Sequence, residues 1–207
     1  MATAVHALDL GSSNGWTMIV DLGPLGRPMT DDEFFEFCQV NEELRIERTS
    51  TGEIVVMPPA GADSGRKNAE ASRQFLNWAK ADGTGIAFDS SAGFTLPNGA
   101  VRSPDASWVR RERWERIAQS QRERFPPLCP EFVIEIRSPS DRLARLQDKM
   151  QEYVAHGAEL GWLLDPIDRK VFVYRPESEV LVLDNPDTVS GDPVLPGFTL
   201  NVAEVFA

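Results

Sequence analysis

Apolar residues recur along this chain at two spacings, and the spacings divide it into elements. The clearest helical stretch is Asp141–His156, where Leu143, Leu146, Met150 and Tyr153 fall three and four apart, the interval that lines one face of an α-helix. The clearest strand is Glu131–Arg137. Side chains alternate along a strand, so Phe132, Ile134 and Ile136 share one face, and Val133, Glu135 and Arg137 share the other. Thr30-Asp31-Asp32-Glu33 is a capping box that opens a helix burying Phe34, Phe37 and Cys38. Leu44–Thr49 and Glu53–Met57, joined by Ser50-Thr51-Gly52, form a hairpin pattern. Pro58-Pro59-Ala60-Gly61 then breaks the chain before a helix from about Gly65 to Ala81, stopped at Asp82-Gly83.

From Gly85 onward the pattern changes to strands: Gly85–Phe88, Gly93–Leu96 with a turn at Asn98-Gly99, and Asp105–Val109. A charged surface helix is expected over Arg111–Gln121. Leu160–Leu164, Lys170–Tyr174 and Val180–Leu183 read as closing strands, with Gly197–Leu200 a tail packed on the body. This order predicts an α/β or α+β fold with a mixed central β-sheet flanked by helices. Residues 1–28 show no clear period and are expected to be an irregular arm with a short strand near Trp16–Val20. Residues 29–207 are expected to form a single domain whose core spans about 58–176.

Composition narrows the class. At 207 residues, with 42% hydrophobic and 26% charged residues, the chain has material for one domain and hardly for two. No stretch approaches the length of a membrane span, and Met1–Leu10 lacks the pattern of a signal peptide. A cytoplasmic protein is therefore expected, with Cys38 and Cys129 as reduced, mostly buried thiols. His6 and His156 are too few and too scattered for a zinc site. The net charge of −11 opposes non-specific binding of nucleic acid, which draws its affinity from released counterions on a basic surface. Any nucleic-acid contact must come from a local patch.

Two segments carry candidate chemistry. In Ser103-Pro104-Asp105, proline fixes its own φ and disfavours helix before it, so Asp105 stands at a strand entrance. In Glu131–Arg137, Glu135 sits mid-strand among branched apolar residues, where an unpaired carboxylate is costly. Arg137 is a partner on the same face. If the Asp105 strand neighbours the Glu135 strand, the two carboxylates supply hard oxygens for magnesium or manganese. Lys149 lies on the flank of the following helix, seven residues from both Arg142 and His156, where its long stem brings positive charge toward a scissile phosphate. Each residue also has an ordinary reading: Asp105 as a turn residue, Glu135 as a salt-bridge partner of Arg137, Lys149 as a snorkelling surface lysine. Glu70 reads alone as a solvated helix residue, and Tyr153 and Trp162 as core.

The ordered set of Pro104-Asp105, Glu135-Ile136-Arg137-Ser138-Pro139-Ser140, Asp148-Lys149-Met150, Tyr153 and Asp165-Pro166 resembles the Uma2 family of restriction-endonuclease-like proteins, within the PD-(D/E)XK nuclease superfamily. The resemblance runs from about Pro58 to Pro176, and more weakly to Leu200. It implies a restriction-endonuclease-like core and a magnesium- or manganese-dependent endonuclease acting on DNA. It further implies that Asp105 and Glu135 bind the metal with the main-chain carbonyl of Ile136, and that Lys149 assists catalysis. The superfamily's usual lysine position is Arg137 here, which points to Lys149 as a lysine migrated to the adjacent helix. An acidic residue on the first core helix often completes such a site, and Glu70 is the candidate. A non-catalytic binding module of the same fold and a hydrolase of a small phosphoester are the alternatives, and the reading allows a homodimer.

Overall fold

A computed structural model of the chain describes residues 18–20 and 27–207. The Trp16 end of the expected first strand lies outside the described residues, but β1 (Met18–Val20) is present and pairs antiparallel with β3 (Ile54–Met57). Thr30 caps α1 (Asp31–Val40) as the capping box requires: its side chain accepts from the Glu33 N–H, and Glu33 reaches back to the Thr30 N–H. The helix buries Phe34 fully and Phe37 and Cys38 in part. The hairpin is β2 (Arg45–Arg48) with β3. The next helix, α2 (Ala62–Asp82), stops at Gly83, whose φ of 70° favours glycine at a helix end.

After α2 come β4 (Gly85–Asp89), β5 (Phe94–Thr95), β6 (Val101–Arg102) and β7 (Ala106–Arg110). The charged helix expected over Arg111–Gln121 is instead two short helices, α3 (Arg111–Glu115) and α4 (Gln119–Arg122). The break falls at Ala118, whose ψ of 144° is extended rather than helical. Then follow β8 (Phe132–Ile136), α5 (Leu143–Ala155), β9 (Leu160–Asp165), β10 (Lys170–Tyr174) and β11 (Leu181–Asp184). The tail holds more structure than its pattern suggests: β12 (Thr188–Ser190) pairs with β13 (Thr199–Asn201), and α6 (Val202–Phe206) closes the chain.

The central sheet has the order β11-β10-β9-β8-β7-β4 and is mixed, since β8 and β9 are parallel and the other described pairs are antiparallel. Parallel neighbours need a crossover, and α5 supplies it. A second sheet, β1-β3-β2-β6-β5, stands beside the first. The alternation of β8 sorts the two cores. Phe132, Ile134 and Ile136 join Phe75 of α2, Trp162 and Phe198 on one face. Val133 joins Met150 and Tyr153 of α5 on the other. Glu135 shares the face of Val133, so it looks toward α5. That helix packs closely: a Cβ on Gly161 of β9 would stand 2.5 Å from the Met150 terminal methyl. Among the described residues, no helix is long and apolar enough to cross a membrane.

Candidate active site

Strand register brings the two candidate carboxylates together. Ala106 pairs with Ile134 in the antiparallel β7–β8 ladder, so one step further along Asp105 stands across from Glu135 on the same face. Both are buried, at 7% and 4% exposure. Asp105 is held by three donors. Asn68 Nδ2 of α2 (3.0 Å) and Arg45 Nη2 of β2 (3.2 Å) donate to Oδ1, and the Ile136 N–H (2.9 Å) donates to Oδ2. Ser72, one turn along α2, fixes Asn68 by donating to its Oδ1 at 3.1 Å.

Glu135 receives α5. Lys149 Nζ lies 2.7 Å from its Oε1, and the Tyr153 hydroxyl donates to the same oxygen at 3.0 Å. Lys149 and Tyr153 are one helical turn apart, so they address one point. The lysine is enclosed, with 11% of its side chain exposed, and does not occupy the open helix flank. Its second partner is Glu47 of β2, 2.8 Å away. Glu47 is 2% exposed and also accepts from the Ser103 N–H (3.0 Å) and from Arg102 Nη1 (3.2 Å). Arg102 in turn pairs with Glu152 of α5 at 2.6 Å, and Asn98 donates to the other oxygen of Glu152.

These contacts set the protonation of the site. Burial raises Glu135, and the neighbouring Asp105 and Glu47 charges add to this against the pull of Lys149, so its carboxyl titrates near about 7. Burial also works against Glu47, but Lys149, Arg102 and the Ser103 N–H outweigh it and hold the carboxyl down at about 2. Desolvation disfavours the Lys149 ammonium, yet Glu135 and Glu47 overcome it and raise its pKa above the ordinary lysine value. Lys149 is therefore a fixed positive charge at neutral pH.

The structure thus joins Asp105, Glu135, Lys149 and the backbone of Ile136, and separates Glu70 and Arg137 from them. Glu70 lies two residues past Asn68, about 200° around α2 at 100° per residue, and bonds Arg73 and Gln74 beside α6. Arg137 is no partner of Glu135. It bonds Asp165 at 2.7 Å and Asp168 at 2.9 Å, because the parallel register that sets Ile136 against Leu164 carries Arg137 to Asp165. Sequence reasoning misses Glu47, Arg45, Asn68 and Arg102. The one available signal is the charge alternation Arg45-Ile46-Glu47-Arg48, which by itself describes a solvated strand face.

The donor set can be tested for a divalent cation. Each carboxylate oxygen accepts along two directions, so Asp105 and Glu135 retain lone pairs beyond the bonds above. Among the described residues, no group of three or more His, Cys, Asp or Glu side chains is placed to share an ion. A cation here would rest on two hard carboxylates and complete its shell with carbonyl oxygen and water. That shell suits magnesium or manganese and does not suit zinc.

The family model described as "Putative restriction endonuclease", Uma2, matches residues 31–203. The match starts well before Pro58 and so takes in β2, which carries Glu47 and Arg45. No curated protein matches the chain. Among solved structures, the chain is similar to a crystal structure from Anabaena variabilis titled a putative nuclease belonging to DUF820. The identity is 25% and the TM-score 0.69, over 86% of this chain and 98% of that one. With the family model spanning the central sheet, strands β2, β3, β5 and β6 of the second, and every residue of the buried cluster, this chain belongs to the Uma2 family of restriction-endonuclease-like proteins.

Proposed function

We propose that this chain is a magnesium- or manganese-dependent endonuclease that hydrolyses phosphodiester bonds in DNA. The observation that carries the reading is the buried pair Asp105 and Glu135, set across one ladder step, with the Lys149 ammonium 2.7 Å from Glu135. The family match and the nuclease title of the Anabaena structure support it. Asp105, Glu135 and the main-chain carbonyl of Ile136 would hold the cation. When bound, it would supply Lewis acidity at a phosphoryl oxygen and lower the pKa of water.

The chain's own groups do the rest. Asn68 and the Ile136 N–H fix the rotamer of Asp105, and Tyr153 fixes Glu135, so neither carboxylate needs to reorganise. Lys149 keeps its proton and acts as a charge that orients the nucleophile and stabilises developing negative charge. With its pKa raised, it is already protonated at neutral pH and has no free site to take a proton. The −11 charge favours a second reading, a hydrolase of a small phosphoester, because a polyanion is repelled by the molecule as a whole.

Calorimetric titration with manganese tests the metal centre. Saturable binding is expected in the wild type, with loss in Asp105→Asn and in Glu135→Gln. Unchanged binding in both variants refutes the assignment. Supercoiled plasmid at low ionic strength tests the substrate: nicking with magnesium or manganese is expected, and turnover of small phosphodiesters without any action on DNA would transfer support to the second reading.

A further inference from the structure

The positive groups around Asp105 and Glu135 differ in what they have left to offer. Lys149 is enclosed and shared between Glu135 and Glu47. Arg102 is enclosed between Glu47 and Glu152, with 12% of its side chain exposed. Arg45 is different. Its Nη2 donates to the Ser103 carbonyl at 2.9 Å and to Asp105 Oδ1 at 3.2 Å, while 36% of its side chain remains exposed. A guanidinium has five N–H donors in a rigid plane. Among the described residues, Nη1 of Arg45 donates to nothing, and Nε is buried without an acceptor. The Nη1 end therefore keeps donor capacity that a ligand oxygen can take up.

Asp105 does not need Arg45 for its own satisfaction, because Asn68 and the Ile136 N–H already bond both its oxygens. Arg45 is thus a cation anchored at one end and unspent at the other, at the rim of the carboxylate pair. In a molecule of net charge −11, attraction for a polyanion has to come from such a local group. We infer that Arg45 is the phosphate-binding residue of this site, held by Asp105 and the Ser103 carbonyl, and offering its free N–H groups to a non-bridging oxygen of a nucleic-acid phosphodiester. The inference rests on the phosphodiesterase reading above and adds the group that grips the substrate. Arginine suits the task because its fork meets phosphate oxygens in a fixed geometry.

The test uses a short fluorescein-labelled DNA duplex, with calcium as the cation, and fluorescence anisotropy over a series of low salt concentrations. Arg45→Ala is expected to weaken binding about tenfold, the value of one lost charge-assisted contact. The slope of log affinity against log salt should fall by about one. Arg45→Lys should keep the wild-type slope at intermediate affinity. Manganese binding to Arg45→Ala, measured by calorimetry, should be unchanged or tighter, since a positive charge beside Asp105 is removed. Equal duplex affinity and slope in wild type and Arg45→Ala overturn the inference, as does a wild type that binds no duplex. Loss of manganese binding in Arg45→Ala also overturns it, since Arg45 would then only position Asp105. Arg45-dependent binding with no cleavage by the wild type would sink the phosphodiesterase reading and leave the phosphate site standing.

Discussion

Replacing Lys149 with methionine separates a buried charge from a surface one. The ammonium lies 2.7 Å from Glu135 and 2.8 Å from Glu47, and those side chains are 5% and 3% exposed. At an effective dielectric near 20, unit charges at this distance attract by about 6 kcal/mol, before the cost of desolvating them is subtracted. The intact cluster therefore adds little net stability. Removing one member is a different quantity, because Glu47 and Glu135 stay buried with too little positive charge, at a cost of about 3–5 kcal/mol. Methionine keeps an unbranched side chain of similar length, so the loss reports charge rather than a cavity. Arg102 still faces Glu47, so most of the penalty falls on Glu135. Urea unfolding followed by tryptophan fluorescence should show the full loss at pH 8 and a smaller one at pH 5, where Glu135 is protonated. Adding Glu135→Gln to Lys149→Met should recover much of the stability at pH 8. A loss below about 1 kcal/mol, the same at both pH values, is the behaviour of a solvated helix-flank lysine and would refute the reasoning.

Glu135→Gln alone should change how stability depends on pH without metal. The folded carboxyl titrates near about 7, above its ordinary value of 4.5, so the folded state holds this proton more tightly than the unfolded chain. Its contribution is present below pH 4.5 and is lost as pH rises toward 7. Urea titrations across that window should show the fall in wild type and a flatter profile in the variant, and identical profiles would contradict the assignment. Arg137→Ala should cost about 3 kcal/mol, because Asp165 is fully buried and keeps only the Ile167 and Asp168 N–H groups as donors. Manganese should not restore the loss, since Arg137 does not touch Glu135, and full rescue by manganese would show that it does.

The parts of the site that can be read in the sequence are those whose geometry is local. Pro104 defines an extended entry for Asp105, the alternation of β8 fixes the face of Glu135, and the apolar stripe of α5 fixes where Tyr153 points. The central mixed sheet and its two covering helices follow from the same patterns. The second sheet does not, and it supplies Glu47 and Arg45. Their partners lie far along the chain: Lys149 is 102 residues from Glu47, and Asp105 is 60 from Arg45. Nothing within β2 distinguishes a strand face turned to solvent from one turned to a buried lysine. Glu70 illustrates the converse. An acidic residue on α2 is a sound expectation by type, but a shift of two residues turns it to the far side, and Asn68 takes the position toward Asp105. Helical phase, which single residues do not reveal, decides between them.

The same geometry explains why the lysine that faces Glu135 comes from a helix. β8 ends at Ile136, and the parallel register with β9 delivers Arg137 to Asp165, whose full burial and paired backbone bonds make it a demanding partner. A cation two residues after Glu135 is thereby committed to its neighbour strand. Glu135 then needs a positive charge from whatever packs on its own face, and that element is α5, drawn close over Gly161. From α5 the Tyr153 hydroxyl reaches the carboxylate, and Lys149, one turn before Tyr153, reaches the same oxygen. The placement also bears on the chemistry proposed above. A lysine on the strand would have Glu135 beside it, whereas one on α5 stands between Glu135 and Glu47 and is held charged by both. In the endonuclease reading proposed above, this placement favours an electrostatic role for Lys149 over proton abstraction, and it makes Glu47 a member of the cluster.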